Sequence, residues 1–182
     1  MKTPPINTKF INSLPVLLSS SIACIIVYAY HWSTYFSPLF LGIIAGGLVD
    51  LDNGLTGKLK NLCFTIVAFT ISSLSVQLTF QHPIGITLTF TLLAFVFTFL
   101  GAAGTRFRTI AFGTLAVAVY TTLTHDPKAP LYMNSLLILC GTLLYSGAAL
   151  LTHILFPHRP VQDSMANSYT ALAAYLEAKA EF

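Results

Sequence analysis

The sequence predicts an all-α fold: a polytopic membrane bundle of six transmembrane helices, followed by the start of a cytoplasmic helix. Composition and the spacing of the charged residues both lead to this prediction. Of the 182 residues, 55% are hydrophobic and 8% are charged, whereas about a quarter of the residues of a soluble domain are charged. So few charged side chains cannot cover a water-facing surface, which excludes an ordinary soluble domain.

The charged residues are clustered, and four long uncharged intervals separate the clusters. These intervals contain 40, 45, 17 and 30 residues and lie between Lys9 and Asp50, Lys60 and Arg106, Arg108 and Asp126, and Lys128 and Arg159. A helix crosses a hydrocarbon core of about 30 Å with about 20 residues. The two longer intervals therefore hold two spans each and the two shorter intervals hold one each, which makes six.

Polar breaks at 31–34 and at 81–83 divide the two longer intervals. The predicted helices are 11–30, 35–49, 62–80, 84–103, 110–123 and 131–156, within a transmembrane domain of residues 1–157. The first helix follows Lys2 and Lys9, as the apolar part of a signal peptide would. It is too long for a signal peptide, and five further spans follow it, so we interpret it as a membrane helix.

The composition changes after the sixth span. Pro157 and Pro160 end the span, and residues 158–182 predict the start of a cytoplasmic helix, because apolar side chains recur there at spacings of three and four. No helix stop signal follows, so we expect this helix to continue in a longer protein. The two sets of three spans show no sequence repeat, which leaves a strongly diverged inverted repeat open.

The basic residues predict the orientation. With the N-terminus in the cytoplasm, eight of the nine lie on the cytoplasmic side. These eight are Lys2, Lys9, Lys58, Lys60, Arg106, Arg108, Arg159 and Lys179, and only Lys128 lies outside. Because basic residues are retained on the cytoplasmic side of membrane proteins, both termini are predicted to be cytoplasmic.

Two carboxylates and two lysines flank the turn between the second and third predicted helices: Asp50, Asp52, Lys58 and Lys60. Charges at the end of a membrane helix bundle are costly unless they are paired or hydrated, so these residues could form a gate or a proton-linked switch. The structural alternative is that Asp52 opens a tight turn and that the lysines only set the topology. The sequence leaves both interpretations open.

Arg106 and Arg108 lie in the predicted loop between helices 4 and 5. A guanidinium group binds a carboxylate through two parallel hydrogen bonds, so this pair could attract an organic anion. The arginines could equally pair with Asp50 and Asp52, or anchor the helix ends at lipid phosphates.

Small residues at helical spacing predict close helix packing. They are Gly42 and Gly46 in helix 2, and Ala111, Thr114 and Ala118 in helix 5. Threonines and phenylalanines alternate along helix 4 and could contact an aromatic substrate. The alternative is that these phenylalanines face lipid and that the threonines hydrogen-bond to their own helix.

Nothing in the sequence predicts an enzyme, a metal site, a cofactor or a nucleic-acid partner. The spacing of His158 and Asp163 matches a glycerolipid acyltransferase motif, but Pro160 interrupts it and no other part of such a site is present. The helix interiors contain no charged residue, which argues against an internal proton relay. The three cysteines have no metal-binding neighbours and are predicted to be small buried apolar side chains: Cys24, Cys63 and Cys140.

Three blocks in the same order carry a family resemblance. They are 41–62 (LGIIAGGLVDLDNGLTGKLKNL), 105–121 (TRFRTIAFGTLAVAVYT) and 153–182 (HILFPHRPVQDSMANSYTALAAYLEAKAEF). Together they resemble the amino-terminal membrane half of the YccS/YhfK family. That family belongs to the fusaric acid resistance, or aromatic acid exporter, superfamily of bacterial inner-membrane proteins.

The resemblance implies six short helices, a large cytoplasmic domain after the sixth, and usually a second six-helix set. Asn53 stands where related chains would carry a third acid, which weakens a catalytic role for the acidic cluster. The superfamily implies efflux of aromatic carboxylic acids, and a distant similarity to plant malate-type channels implies an anion pore between subunits. We therefore expect a membrane unit of an efflux transporter or anion channel, with membrane lipids and another copy or second half as partners. The alternative is a non-transporting membrane anchor.

Overall fold

The computed structural model describes residues 8–50, 55–125 and 130–155, with a few positions of the tail, 168–169, 171–173 and 179. Within these ranges the chain forms six α-helices and one short 3-10 helix. Their bounds are α1 Thr8–Ala29, α2 Phe36–Val49, α3 Leu55–Thr79, α4 Pro83–Gly101, α5 Thr105–Leu123 and α6 Leu131–Leu155, with the 3-10 helix Ser33–Tyr35 before α2. The prediction of an all-α fold is confirmed. The predicted helix at 158–182 lies almost wholly outside the described residues.

Four helices begin earlier than the charge pattern predicts, and two of them begin earlier by five residues or more. α3 begins at position 55 instead of 62, and α5 begins at 105 instead of 110. Lys58 and Lys60 therefore lie on α3, and the prediction that Arg106 and Arg108 lie in a loop was wrong, because both lie in the first turn of α5. A helix satisfies the backbone hydrogen bonds up to the membrane edge, while long basic side chains reach towards the polar region.

Three helices are long and apolar enough to cross a membrane, and the segments concerned are Thr56–Thr79, Pro83–Gly101 and Tyr132–Leu155. In α1 and α2 the apolar segments Ser13–Ala29 and Phe36–Val49 are shorter. By length and composition, three of the six predicted spans are therefore found among the described residues.

The outward faces of the helices are apolar. On α4, Phe95 and Phe99 are 74% and 76% exposed, and the Thr91 hydroxyl donates to the Thr87 carbonyl of its own helix. The lipid-facing interpretation of helix 4 therefore holds for these residues but not for Phe97, which is buried in the core. The prediction that the cysteines are buried was wrong, since Cys24, Cys63 and Cys140 are all exposed. In a membrane bundle an outward position is also apolar, so a small apolar side chain gains little from being inside.

Four helices form the inside of the bundle. α2 packs most extensively against α6, and α3 packs most extensively against α5. α2 also contacts α5, and α3 contacts α6, so that these four helices surround the core. α1 lies outside them against α2 and α6, and α4 lies outside them against α5 and α3.

These main helix contacts follow a repeat. The contacts of α1, α2 and α3 match those of α4, α5 and α6, taken in order. The contact of α2 with α6 corresponds to that of α5 with α3, and the contact of α1 with α6 corresponds to that of α4 with α3. This symmetry relates the unit α1–α3 to the unit α4–α6, and it is the contact pattern that an inverted repeat of three-helix units gives. The sequence left this repeat open, and the helix contacts indicate it.

Candidate functional site

Asp50 joins three helices at one end of the bundle. It follows the last residue of α2 and has an extended backbone, with φ −66° and ψ 127°. Lys58 Nζ of α3 lies 3.3 Å from Asp50 Oδ1, and the Tyr145 hydroxyl of α6 lies 3.2 Å from Asp50 Oδ2. A carboxylate that receives one donor from each of two neighbouring helices holds α2, α3 and α6 together here.

Asn61 stands one turn along α3 from Lys58 and is 6% exposed. Its Nδ2 donates to the Val49 carbonyl at 2.8 Å, which satisfies one of the carbonyls left free at the end of α2. Asn61 Oδ1 is buried, and none of the described residues donates a hydrogen bond to it. A buried amide oxygen without a donor is costly, so this atom marks a place where a hydrogen-bond donor fits.

A narrow cavity lies between α2, α3 and α6 next to these groups. Its volume is about 30 Å³, enough for one or two water molecules. The polar side chains in its wall include Asp50, Lys58, Asn61, Thr65, Thr142 and Tyr145. We call this feature the Asp50 cavity.

Three other predicted site residues, Lys60, Arg106 and Arg108, lie around the same end of the bundle. Arg106 Nη2 of α5 donates to the Gly57 carbonyl of α3 at 3.4 Å. Because Gly57 directly precedes Lys58 in the chain, Arg106 contacts α3 one residue before Lys58. Lys60 and Arg108 are exposed and do not line the cavity. Asp52 lies outside the described residues. We call the end of the bundle where α2 and α6 end and α3 and α5 begin the basic end.

Glycines let α2 and α6 approach closely below the cavity. A Cβ atom on Gly42 would overlap the Ile138 carbonyl, and a Cβ atom on Gly141 would overlap the Leu39 carbonyl. At Gly46 it would lie 3.1 Å from Cβ of Tyr145. The two predicted packing glycines therefore lie in the contact of α2 with α6, where they bring Tyr145 within reach of Asp50.

The small residues predicted on helix 5 are buried as well. Ala111, Thr114 and Ala118 are 5%, 0% and 0% exposed. Gly101 of α4 lies against Ala111, and the Ser72 hydroxyl of α3 donates to the Thr114 carbonyl at 3.1 Å. Small residues on α5 thus serve contacts with two different helices.

A second polar group lies deeper in the bundle, where α3, α5 and α6 meet. The Ser73 and Ser135 hydroxyl oxygens are 2.7 Å apart. Thr121 Oγ1 donates to Ser73 Oγ at 3.0 Å, and Gln77 Nε2 donates to Ser135 Oγ at 2.8 Å. All four side chains are buried, with at most 4% exposed. We call Ser73, Gln77, Thr121 and Ser135 the interior polar cluster.

Sequence reasoning missed Asn61, Tyr145 and the whole interior polar cluster. One signal was present, because Gln77 is an amide side chain within a predicted span, and such residues usually face the bundle interior. No comparable signal marked Tyr145, since tyrosine is also common at the lipid interface.

Comparison with known proteins gives the family. The FUSC-like family, described as "FUSC-like inner membrane protein yccS", matches residues 61–182. A Haemophilus influenzae protein named "Uncharacterized protein" is 50% identical over 178 residues, which cover 97% of this chain and 25% of that protein. Inner membrane protein YccS of Escherichia coli K12 is 43% identical over 142 residues, which cover 78% of this chain and 20% of that protein.

The chain therefore spans about a quarter of the length of one of these curated relatives and a fifth of the other. No solved structure matches it. The family match covers more than half of the chain and agrees with the resemblance carried by the three sequence blocks. This chain, with its apolar helices, is a membrane protein that belongs to the FUSC-like family.

Proposed function

We propose that the chain is the membrane unit of an inner-membrane efflux transporter or anion-permeable channel for aromatic or other organic acids. The observation that carries the proposal is the basic end of the bundle. Lys58, Lys60, Arg106 and Arg108 lie near the starts of α3 and α5, beside a cavity in which Lys58 already holds the carboxylate of Asp50. Clustered positive charge raises the local concentration of organic anions.

In this proposal the Lys58 ammonium group binds the substrate anion. The ammonium group pairs with Asp50, and the two side chains are 12% and 24% exposed, so the pair lies at the boundary between the bundle and the solvent. If Asp50 moves away with the end of α2, Lys58 can hold the carboxylate of a substrate instead. The exchange replaces one ion pair by another and leaves no lysine without a partner.

All six helices cross the membrane in this proposal, with the basic end and both termini in the cytoplasm. α2 has 14 residues, which is about 21 Å of helix and shorter than a hydrocarbon core of about 30 Å. Its place between α1, α5 and α6 supports a short span, since protein rather than lipid surrounds most of it. The inverted-repeat pattern of the helix contacts also supports transport, because many secondary transporters are built in this way.

The complete permeation path requires a partner in this proposal. The relatives are four to five times as long as the matched region, and the Asp50 cavity is too small for an aromatic acid. A second six-helix unit, from the remainder of a longer chain or from another copy, would form the organic-acid path along a shared interface.

A non-transporting membrane anchor is the second candidate. The observation that favours it is the dense packing of the described interior, where Phe69 and Val76 are fully buried. An anchor for a cytoplasmic domain needs no hydrated path through the membrane, and charged residues at its basic end would only set the topology.

Flux measurements separate the two candidates. The full-length protein is reconstituted in liposomes, and uptake of benzoate, an aliphatic dicarboxylate and neutral benzyl alcohol is compared with uptake into empty liposomes. We expect saturable flux of at least one carboxylate and no added flux of the alcohol. Carboxylate uptake equal to that of empty liposomes, with correctly inserted protein, would favour the anchor.

A further inference from the structure

The buried face of α3 carries polar side chains at two levels. Asn61 and Thr65 lie in the wall of the Asp50 cavity, while Ser73 and Gln77 belong to the interior polar cluster. From Asn61 to Gln77 the helix rises about 24 Å, most of a hydrocarbon core of about 30 Å. The two polar levels together therefore extend across nearly the whole depth of the bundle.

The interior polar cluster continues to the far end of the bundle. Asn134 Nδ2 donates to the Thr121 carbonyl at 3.3 Å, and Asn134 Oδ1 accepts from Thr124 Oγ1 at 2.9 Å. Asn134 and Thr124 are half-buried, and Thr124 follows the last residue of α5. Hydrogen-bonded groups thus link the cluster to the end opposite the basic end.

One apolar layer separates the two levels. Phe69 lies on α3 between Thr65 and Ser73, and Ile138 lies on α6 between Ser135 and Thr142. Both are at most 1% exposed and belong to a single apolar cluster. The layer thus breaks the row of polar side chains where α3 faces α6, while the buried Ser72 and Thr114 beside it hydrogen-bond to one another on the α5 side. A narrow passage closed by apolar groups excludes water.

We infer that the interior of this single bundle is a closed pathway for water and protons, with polar vestibules at both ends and the Phe69 layer as its barrier. The unpartnered Asn61 Oδ1 points to a hydrogen-bond donor in the first vestibule, and water is the donor that fits a cavity of about 30 Å³. Hydroxyl and amide groups line the second vestibule. The inference rests on the proposed six-span arrangement but on no particular organic substrate.

The size and the charge of the pathway determine what it can carry. An organic acid is far larger than the Asp50 cavity, whereas a water molecule fits it and a proton is relayed along hydrogen-bonded hydroxyl groups and waters. Beyond Asp50 and Lys58, the polar residues described at the two levels are uncharged, so nothing there holds an ion strongly. Opening the Phe69 layer would therefore connect the two aqueous sides for water and protons and leave the organic-acid path separate.

Removing the Phe69 ring tests the barrier. Phe69→Ala protein is reconstituted in liposomes that contain a pH-sensitive dye, and proton influx is driven by a potassium diffusion potential. We expect influx about ten times faster than with the wild type, because water enters the widened layer. The matched control is Phe95→Ala, which removes an outward-facing ring on α4 and should leave the influx at the wild-type rate. Wild-type influx in folded Phe69→Ala protein would overturn the inference.

A second measurement leaves Phe69 in place, in case its removal prevents folding. Cys24, Cys63 and Cys140 are replaced by serine, and Thr65→Cys or Ser73→Cys is added singly. Ag⁺, a thiol-binding ion close to a water molecule in size, should react with Thr65→Cys when added from the basic end and with Ser73→Cys when added from the opposite side. Val67→Cys, at an outward position of α3, should react from neither. If neither interior position reacts faster than the Val67 control, or if both react from one side, the pathway does not exist.

The two assays require no organic substrate, which separates this inference from the proposed function. Proton influx through Phe69→Ala with no carboxylate flux in the wild type would support the pathway and contradict the transporter. Carboxylate flux without any effect of Phe69→Ala would support the transporter and remove the pathway.

Discussion

Asp50 joins the end of α2 to Lys58 near the start of α3 and to Tyr145 in the interior of α6. The Tyr145 ring also lies against Gly46, so Tyr145→Phe removes the hydroxyl and keeps the packing. We expect a loss of about 1.5–3 kcal/mol of stability, the usual contribution of a hydrogen bond to a charged group, seen as a lower melting temperature in detergent. Tyr132→Phe, at an exposed position of the same helix, is the control and should not change the melting temperature.

Arg106 and Arg108 lie within the first turn of α5. The planar shape of their guanidinium groups can be removed while their positive charge is kept. Changing both to lysine keeps the charge that sets the orientation and removes the paired hydrogen bonds to a carboxylate. Under the transport proposal, carboxylate flux should fall by roughly fivefold to over a hundredfold, as the loss of about 1–3 kcal/mol implies. Unchanged flux with normal insertion would show that the arginines only anchor the helix.

Arg106 and Arg108 also differ from one another, which refines the expectation. Arg106 donates to the Gly57 carbonyl, whereas Arg108 is exposed. Arg106→Lys alone should weaken the contact of α5 with α3, and Arg108→Lys alone should account for most of any loss of flux. Parallel melting curves and flux measurements on the two single variants would separate packing from binding.

At the scale of the helices, the close contact of α2 with α6 requires glycine at positions 42 and 141, where a side chain would overlap the facing backbone. Gly141→Ala places a methyl group where the Leu39 carbonyl lies, so the two backbones must separate. We expect a destabilisation of about 1–3 kcal/mol, typical of overpacking, measured by thermal unfolding in detergent. Gly147→Ala on the same helix has open space around the new methyl group and should be neutral or slightly stabilising. Equal stability of the two variants would contradict the close contact.

At the scale of the whole molecule, the six-span proposal fixes which connections share a side of the membrane. Single cysteines at Lys60 and Arg108 should react with an impermeant reagent from the cytoplasm, and single cysteines at His31 and His82 should react from the opposite side. The physical reason is that each short connection reverses the chain between antiparallel helices. Labelling of the positions of Arg108 and His82 from the same side would contradict the arrangement.

The positions of the helices could largely be predicted from sequence, but their polar ends could not. Apolar intervals place all six described helices, because a helix in lipid must be apolar over most of its length. The predicted starts of α3 and α5 are too late, because a charge pattern assigns charged positions to loops. Basic side chains at a membrane edge remain on a helix, because they extend to the polar region without interrupting its backbone hydrogen bonds.

The candidate site was predicted in part. Asp50 and Lys58 were singled out from sequence, and the structure brings them to 3.3 Å. Tyr145 could not be assigned to this site, because it reaches Asp50 from a helix 95 residues further along the chain, and no local pattern records such a contact. The cysteines were misjudged for the related reason that hydropathy does not distinguish a lipid-facing position from a buried one.

The sequence by itself determined the all-helical membrane class, the approximate extent of each helix and the family, because these depend on composition, on uncharged length and on ordered local blocks. The tertiary structure alone decided which helices meet, which polar residues face inwards and where the row of polar side chains is broken. Ser73 and Ser135, 62 residues apart, come within 2.7 Å only because α3 and α6 pack together. In a membrane protein nearly every span is apolar on all sides, so helix packing, not hydropathy, separates the interior from the lipid-facing surface.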